Sequence, residues 1–138
     1  MAIRKFADLI EEGKEVPIFG DGSMSRDYTY ISDVVSALNQ ALERTYKFEV
    51  FNVGNSRPLR LSYVVEVLEE ALEKKANKKY LLPQAGDVPI TCADLDKSRK
   101  LLGYKPRVSF EDGIRLFVER LWRQRSAAPT EFLLPYPN

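Results

Sequence analysis

The sequence contains no histidine and a single cysteine, Cys92. Without histidine, the chain has no Ser-His-Asp triad, no Cys-His pair and no histidine-based metal site. Any acid–base chemistry would have to come from carboxylates, tyrosines or lysines. A lone cysteine excludes an internal disulfide, so we expect a reducing, cytoplasmic setting.

The chain also lacks an excess of either charge and a long hydrophobic run. Lys plus Arg total 21 and Asp plus Glu total 20, which argues against nucleic acid or an anionic membrane as a partner. The locally basic stretches at 97–100 and 120–125 are interpreted as solvated helix faces. No apolar run reaches membrane-spanning length, and residues 1–12 favour an amphipathic helix over a targeting segment.

Hydrophobic residues make up 44% of the 138-residue chain, enough to bury a core. Their spacing predicts an α/β fold, with one domain over residues 1–125 and an irregular tail over 126–138. The elements show no regular βαβ alternation, which indicates part of a larger fold. We expect helices at 1–12, about 33–44, from 62, 93–102 and from 109, and strands at 15–19, 26–30, 48–54 and 79–82.

Several residues predict where helices begin and end. Ser32 or Asp33 is expected to cap the second helix and Ser62 the third, because their side-chain oxygens can accept a backbone N–H. Gly13 and Gly103 are expected to end the first and fourth helices. A capping box at 109–112 opens the last one.

The same periodicity predicts burial. Cys92 is expected to be a small core residue. Asp94 and Asp96 are interpreted as helix N-terminal residues in preference to a metal pair. On the second helix, four side chains are expected to face inward: Val34, Val35, Leu38 and Leu42.

One loop combines an aromatic ring, glycines and a fixed charge. Phe19 precedes a Gly-Asp-Gly turn at 20–22, and Arg26 follows it. A flat ring and a guanidinium at the two ends of such a loop suit a ligand with an aromatic base and a phosphate. The alternatives are that Phe19 points into the core and that Arg26 pairs with Asp21 or Asp27.

Three signatures follow one another along the chain: GDG at 20–22 with RDYTYISD at 26–33, FNVG at 51–54, and GDVP at 86–89 with AD at 93–94 and LGYKP at 102–106. Together they make residues 1–125 similar to the C-terminal, substrate-binding half of the NAD-dependent epimerase/dehydratase family. These are extended short-chain dehydrogenases that act on nucleotide sugars. The motif residues are most similar to those of UDP-glucuronate 4-epimerases. UDP-glucose 4-epimerases, dehydratases and decarboxylases share the same arrangement of motifs.

The resemblance implies an N-terminal Rossmann half that this sequence does not show. In the family that half carries a Gly-x-x-Gly-x-x-Gly turn for NAD and a Tyr-x-x-x-Lys pair for the chemistry, and neither motif occurs here. We therefore expect a truncated portion that binds a UDP-sugar, holds no NAD itself and is not catalytic alone. In a complete enzyme, NAD would oxidise the sugar at C4 and return the hydride to its other face.

The resemblance also implies roles around the nucleotide. Arg26 would bind the diphosphate, and Asp87 would accept hydrogen bonds from the ribose hydroxyls. Pro17 and Phe19 would form the wall on which the pyrimidine packs. Asn52 would lie near the phosphates.

Two of these positions leave questions open. The resemblance places Gln84 where many family members carry a phosphate-binding arginine. Either the affinity falls or another cation, Arg57 or Lys79, helps to bind the phosphate. Glutamine here favours the glucuronate-type subgroup. Asn52 could instead close its turn by bonding backbone groups.

A second hypothesis belongs to another class of function. The chain could be a non-enzymatic assembly or regulatory module, or one half of a split enzyme that needs a Rossmann partner. In the full fold, residues 48–53 would lie against the cofactor half. Without that half they would leave an apolar patch and a strand edge exposed, so we expect a homo-oligomer.

Overall fold

A computed structural model describes residues 2–126 of the chain. This part contains five helices and four short strands, so the predicted α/β class is confirmed. In chain order they are α1 (Ala2–Glu11), β1 (Glu15–Phe19), β2 (Ser25–Asp27), α2 (Ile31–Leu42), β3 (Pro58–Arg60), α3 (Leu61–Ala71), β4 (Asn77–Leu81), α4 (Asp96–Leu102) and α5 (Phe110–Ser126).

The strands form two small sheets within residues 2–126. β1 and β4 run parallel, as expected for strands joined by a long connection. β2 and β3 are antiparallel. The other edge of β2 meets residues 89–91, where the Ser25 N–H donates to the Pro89 carbonyl (2.8 Å) and the Thr91 N–H donates to the Ser25 carbonyl (3.1 Å). β2 is therefore held on both sides.

Helices α1, α3 and α5 pack around β1 to form the main core. Their apolar residues recur every three to four positions, so each helix turns one stripe inward. Each side chain that is fully buried in this way contributes about 1.5–3 kcal/mol. The buried members include Phe6, Ile10, Val16, Ile18, Val64, Val65, Leu68, Ile114, Val118 and Leu121. A smaller cluster joins α2 to α4 through Ala37, Leu95, Leu102 and Tyr104.

The predicted glycine stops are confirmed, and so is the serine half of the capping box. Gly13 and Gly103 follow α1 and α4 with φ of 66° and 77°, a left-handed conformation that glycine adopts without a Cβ penalty. At the start of α5, the Asp112 N–H donates to Ser109 Oγ at 3.0 Å, and that hydroxyl donates to the Asp112 carboxylate at 2.6 Å.

The two predicted side-chain caps are wrong. Neither α2 nor α3 has a side-chain cap, since α2 begins after Tyr30 and α3 after Arg60. Asp33 is buried and accepts the Val108 N–H at 3.1 Å. Ser62 lies inside α3, and its N–H donates to the Gly22 carbonyl at 3.1 Å. Partners distant in sequence satisfy these groups, so local capping is replaced by tertiary contacts.

The predicted inward face of α2 is also mostly wrong. Ala37 and Asp33 are buried and Val34 is half-buried as predicted, whereas Val35, Leu38 and Leu42 are exposed. Ala37 packs in the cluster shared with α4, because a small side chain allows close approach. In the described part of the chain no layer covers the opposite face of α2.

The strand predicted at 48–54 does not form. Its backbone has no ladder partner among residues 2–126, and side-chain bonds hold the segment instead: the Ser98 hydroxyl donates to the Asn52 carbonyl, and the Asn52 amide donates to the Asp94 carbonyl at 3.2 Å. Phe48 remains 83% exposed. A strand needs a neighbouring strand to satisfy its N–H and C=O groups.

Three further expectations concern individual positions. Cys92 is exposed and not a core residue, because it lies in an irregular segment without an apolar layer above it. The predicted strand at 26–30 covers only Ser25–Asp27. Of the tail predicted over 126–138, Ser126 ends α5 and the remainder lies outside the described residues.

Within residues 2–126, no helix is long and apolar enough to cross a membrane.

The Asp27 carboxylate joins two segments that carry no regular structure. It accepts backbone N–H groups from Asn55 (3.2 Å), Ser56 (2.9 Å) and Arg57 (3.2 Å) on one side and from Ala93 (3.0 Å) on the other. An ionised acceptor makes stronger hydrogen bonds than a neutral one. Asp27 thus fixes both segments against the end of β2.

Close packing around Gly54 reinforces this junction. A Cβ at Gly54 would lie 2.4 Å from the Ala93 Cβ and 2.7 Å from an Asp27 oxygen, so only glycine fits. The Gly54 carbonyl accepts the buried Tyr104 hydroxyl at 2.7 Å. Burial raises the pKa of Tyr104, as do the Asp33 and Asp27 carboxylates, so the phenol stays protonated and donates this bond.

We predict that Asp27→Asn destabilises the fold by about 2–3 kcal/mol. The amide keeps one acceptor oxygen but turns an NH₂ group toward backbone N–H donors, leaving some of them without a partner. Urea unfolding followed by circular dichroism measures the change. Asp96→Asn is the matched control, because the Asp96 side chain is 89% exposed. It should change stability by less than about 0.5 kcal/mol. Equal effects of the two substitutions would contradict a special role for Asp27.

Candidate functional site

Arg26 lies in the middle of β2 and points its guanidinium at the loop that follows β4. One Nη donates to the Ser25 carbonyl at 2.8 Å, and the other forms an ion pair with Asp87. The alternative partners are wrong: Asp21 accepts the Ser23 N–H at 2.9 Å, and Asp27 is occupied by the four backbone donors described above. Two residues predicted to bind the same nucleotide are thus in direct contact.

Asp87 lies on an exposed turn whose path is set by β1 and β4. The Gly20 N–H donates to the Leu81 carbonyl at 2.9 Å, extending the parallel pairing past the end of β1. The next residue of the loop after β4 to approach is Pro83, whose side chain lies 3.9 Å from the point where a Cβ on Gly20 would be. The Asp87 N–H then donates to the Gln84 carbonyl at 3.3 Å. The loop at 83–89 therefore runs beside the glycine loop at 20–25.

Pro17 and Phe19 occupy the face of β1 that does not enter the core. Val16 and Ile18 are buried, while Pro17 and Phe19 alternate with them and are half-buried. Phe19 therefore does not take the core position that was its alternative. It presents a ring next to the loop that carries Asp87, on the strand end where parallel sheets commonly bind ligands.

Asn52 is engaged by protein groups. Its Nδ2 donates to the Asp94 carbonyl at 3.2 Å, and its own carbonyl accepts the Ser98 hydroxyl. The side chain does bond a backbone group, but that group is 42 positions away, so Asn52 does not close its own turn as the alternative expected. A position near the phosphates stays a prediction.

Lys79 and Arg57 are the two cations expected to help at position 84, where the arginine is missing. They differ in whether an acidic side chain already pairs with their charge. Gln84 itself is exposed. Lys79 pairs with Glu15 at 2.6 Å, which occupies its charge. Arg57 is exposed and is fixed through its backbone N–H to Asp27. Arg57 is therefore the more available of the two.

The residues present do not fit the pyrophosphate of NAD. The glycine loop at 20–25 leads from β1 into β2 and not into a helix, and the first N–H groups of α3 that face it are already donated to the Met24 and Gly22 carbonyls, so they are not available to a pyrophosphate. The Asp21 carboxylate also lies in this loop, and hydrogen bonding to Ser23 lowers its pKa, which keeps a negative charge there.

Within residues 2–126, no group of acidic or cysteine side chains could hold a metal ion. Asp94 accepts the Asp96 N–H at 2.9 Å as a helix-start residue.

A cleft of about 730 Å³ opens on another side of Arg26. It lies between α1 and the first turns of α2 and α5, and most of its wall is apolar. Tyr28 forms part of that wall and packs on Phe110 with ring centroids 5.3 Å apart. Burial raises the pKa of Tyr28, and the nearby Arg26 charge opposes this. An apolar wall suits protein packing better than it suits a sugar.

Asp27 is the residue at this site that sequence reasoning missed. The sequence suggested Asp27 only as a possible partner of Arg26. In the structure its carboxylate holds the segments at 55–57 and 93. Its neighbours in sequence give no sign of this, because all four donors lie at least 28 positions away. The only local hint is its place beside Arg26 in a short strand, where alternate side chains face opposite ways.

Comparison with known proteins gives consistent relatives. The family model described as GDP-mannose 4,6 dehydratase matches residues 1–117. An uncharacterised protein of Methanocaldococcus jannaschii is 51% identical over 85% of this chain and 36% of its own length. The chain thus spans about a third of that relative.

Two solved structures share the fold. UDP-glucose 4-epimerase from Thermotoga maritima, determined with UDP-glucose, is 35% identical with a TM-score of 0.84, over 91% of this chain and 40% of that one. UDP-glucuronic acid 4-epimerase from Bacillus cereus, determined with UDP-glucuronic acid and NAD, is 33% identical with a TM-score of 0.79, over 88% and 40%. With its family model, relatives and fold in agreement, this chain belongs to the NAD-dependent epimerase/dehydratase family.

Proposed function

We propose that this chain binds the UDP part of a nucleotide sugar, as the substrate-binding portion of a 4-epimerase of the UDP-glucuronate or UDP-glucose type. The observation that carries the proposal is the ion pair of Arg26 and Asp87, formed by a loop that runs past the end of β1, where the half-buried Phe19 lies. A guanidinium suits a diphosphate, a carboxylate suits a vicinal diol and a ring suits a base. Relatives solved with UDP-sugars support the same ligand class.

Each predicted residue has a place in this proposal. Arg26 binds the diphosphate, and Asp87 accepts the ribose hydroxyls. Pro17 and Phe19 pack on the pyrimidine. Gln84 lies on the same loop as Asp87, two residues before Gly86. Asn52 shapes the neighbouring wall through its bond to the segment before α4.

The binding portion is not catalytic alone in this proposal. The sequence has no Tyr-x-x-x-Lys pair, and its glycine loop does not suit a dinucleotide. Hydride transfer would require the NAD-binding part that full-length relatives carry. Tight binding of the non-reacting nucleotide would then hold the substrate while its sugar reacts. The single cysteine supports our expectation of a cytoplasmic setting.

A specific observation also supports a protein partner. Four apolar side chains on α2 follow the spacing of one helix face and are exposed by 45–84%: Ile31, Val35, Leu38 and Leu42. Ile31 also lines the apolar cleft. We propose that this face, named here the α2 stripe, packs against the NAD-binding part in a complete protein and pairs with a second copy when that part is absent. A self-associating, non-enzymatic module is the alternative function that this face supports.

We predict that Arg26→Ala weakens UDP binding by about 10- to 100-fold, because charge-assisted hydrogen bonds to the diphosphate are lost. Isothermal titration calorimetry on the full chain measures both proteins. Arg115→Ala is the matched control, since Arg115 is an exposed arginine on α5, and it should leave the affinity unchanged. Uridine lacks the diphosphate and should bind wild type and Arg26→Ala equally. The same UDP affinity with and without Arg26 would contradict the proposed site.

We predict no epimerisation of UDP-glucuronate by the chain alone, because nothing in the sequence supplies the tyrosine–lysine pair. Chromatographic separation of UDP-glucuronate and UDP-galacturonate after incubation with NAD measures the conversion. A full-length epimerase of the family serves as the positive control. Product formed by this chain alone would contradict the second half of the proposal.

We predict that Leu38→Glu with Leu42→Glu raises the self-dissociation constant at least about ten-fold, because two leucines leave an apolar interface. Sedimentation velocity over a concentration series measures it. Leu116→Glu is the matched control, because Leu116 is an exposed leucine on α5, outside the α2 stripe. A wild-type chain that stays monomeric throughout the series would contradict self-association.

A further inference from the structure

The ion pair between Arg26 and Asp87 has a consequence for ligand choice. The two side chains are 29% and 31% exposed, so a ligand can reach both, yet neither is fully solvated. With no ligand, each charge neutralises the other. Any anion that binds Arg26 must therefore displace or share the space of a carboxylate.

The two partners of this ion pair are held differently. Arg26 sits in a strand bonded on both edges, and its guanidinium also donates to the Ser25 carbonyl at 2.8 Å. Asp87 lies on the exposed turn at 84–87, where Gly86 has a φ of 82°. When a ligand arrives, Arg26 is the fixed partner and Asp87 the one with room to turn.

Ligands differ in how well they replace the interaction that Asp87 loses when its ion pair with Arg26 is broken. A free polyphosphate offers only negative oxygens, so it gains Arg26 but leaves a like charge beside it. A nucleoside diphosphate also carries a ribose, whose two adjacent hydroxyls are donors that a carboxylate can accept. Such a ligand replaces both halves of the broken ion pair. Selectivity commonly rests on this kind of penalty against the wrong ligand.

We infer that Asp87 is a specificity-determining residue that restricts Arg26 to nucleoside diphosphates and excludes polyphosphates that lack a ribose. This inference rests on the proposed function, because it assumes that Arg26 and Asp87 bind one nucleotide. It adds a role that neither residue has alone: the carboxylate rejects the smaller anion as well as holding the ribose.

The test compares inorganic pyrophosphate with UDP on the full chain, by calorimetry at neutral pH and fixed ionic strength. In Asp87→Asn the repulsion is removed, so pyrophosphate should bind about ten-fold more tightly, while UDP should bind no better than to wild type. The ratio of the two dissociation constants, pyrophosphate over UDP, should fall about ten-fold or more. Asp96→Asn removes the same charge at an exposed site on α4 and should leave the ratio unchanged.

Each outcome separates the inference from the function on which it rests. If UDP binds wild type but the ratio is the same in Asp87→Asn, the inference is overturned and the proposed function stands. If both ligands weaken equally, Asp87 only positions Arg26 and the inference is again overturned. If wild type binds no UDP, the proposed function fails and the inference with it. Asp87→Ser, which also removes the charge, provides a second variant if the asparagine variant does not fold.

Discussion

The arrangement of this site depends on one carboxylate. Asp27 collects four backbone N–H groups from two segments that have no strand or helix of their own. Such segments are costly to order, because each residue loses conformational entropy without a ladder or a helix to compensate. A charged acceptor at the end of β2 supplies that compensation. It also fixes residue 93, and with it the chain that leads back through 89–91 to the Asp87 loop.

The second constraint is the pairing of unlike charges near the end of β1. Arg26 and Asp87 are 61 positions apart in sequence, and the parallel edge between β2 and residues 89–91 brings them together. In the proposed function, this pair binds the phosphate and the diol of one ligand, and the α2 stripe serves as a protein interface. The chain covers about 40% of each of its two solved relatives.

Sequence reasoning predicted local features well and burial less well. The α/β class, the helix ends at Gly13 and Gly103 and the side-chain cap made by Ser109 depend on residues close together in the chain, and all are confirmed. The strand predicted at 48–54 and most of the inward face predicted for α2 are wrong. The hydrophobic pattern of a sequence shows that a face is apolar, but it does not show which other part of the protein, or which partner, covers that face. In residues 2–126, Leu38 and Leu42 on α2 and Phe48 and Val50 stay exposed, whereas Phe51 and Val53 pack against the cluster shared by α2 and α4.

The sequence by itself determined the family resemblance, the absence of histidine chemistry and the residue types suited to a nucleotide. These are properties of composition and of motifs a few residues long. Only the tertiary structure decided that Arg26 pairs with Asp87 and not with Asp21 or Asp27, that Asn52 bonds the segment before α4 and that Asp27 joins two distant segments. Each of these contacts closes a loop of 28 residues or more. No local preference specifies such a contact, since it forms only when the packed core brings the two ends together.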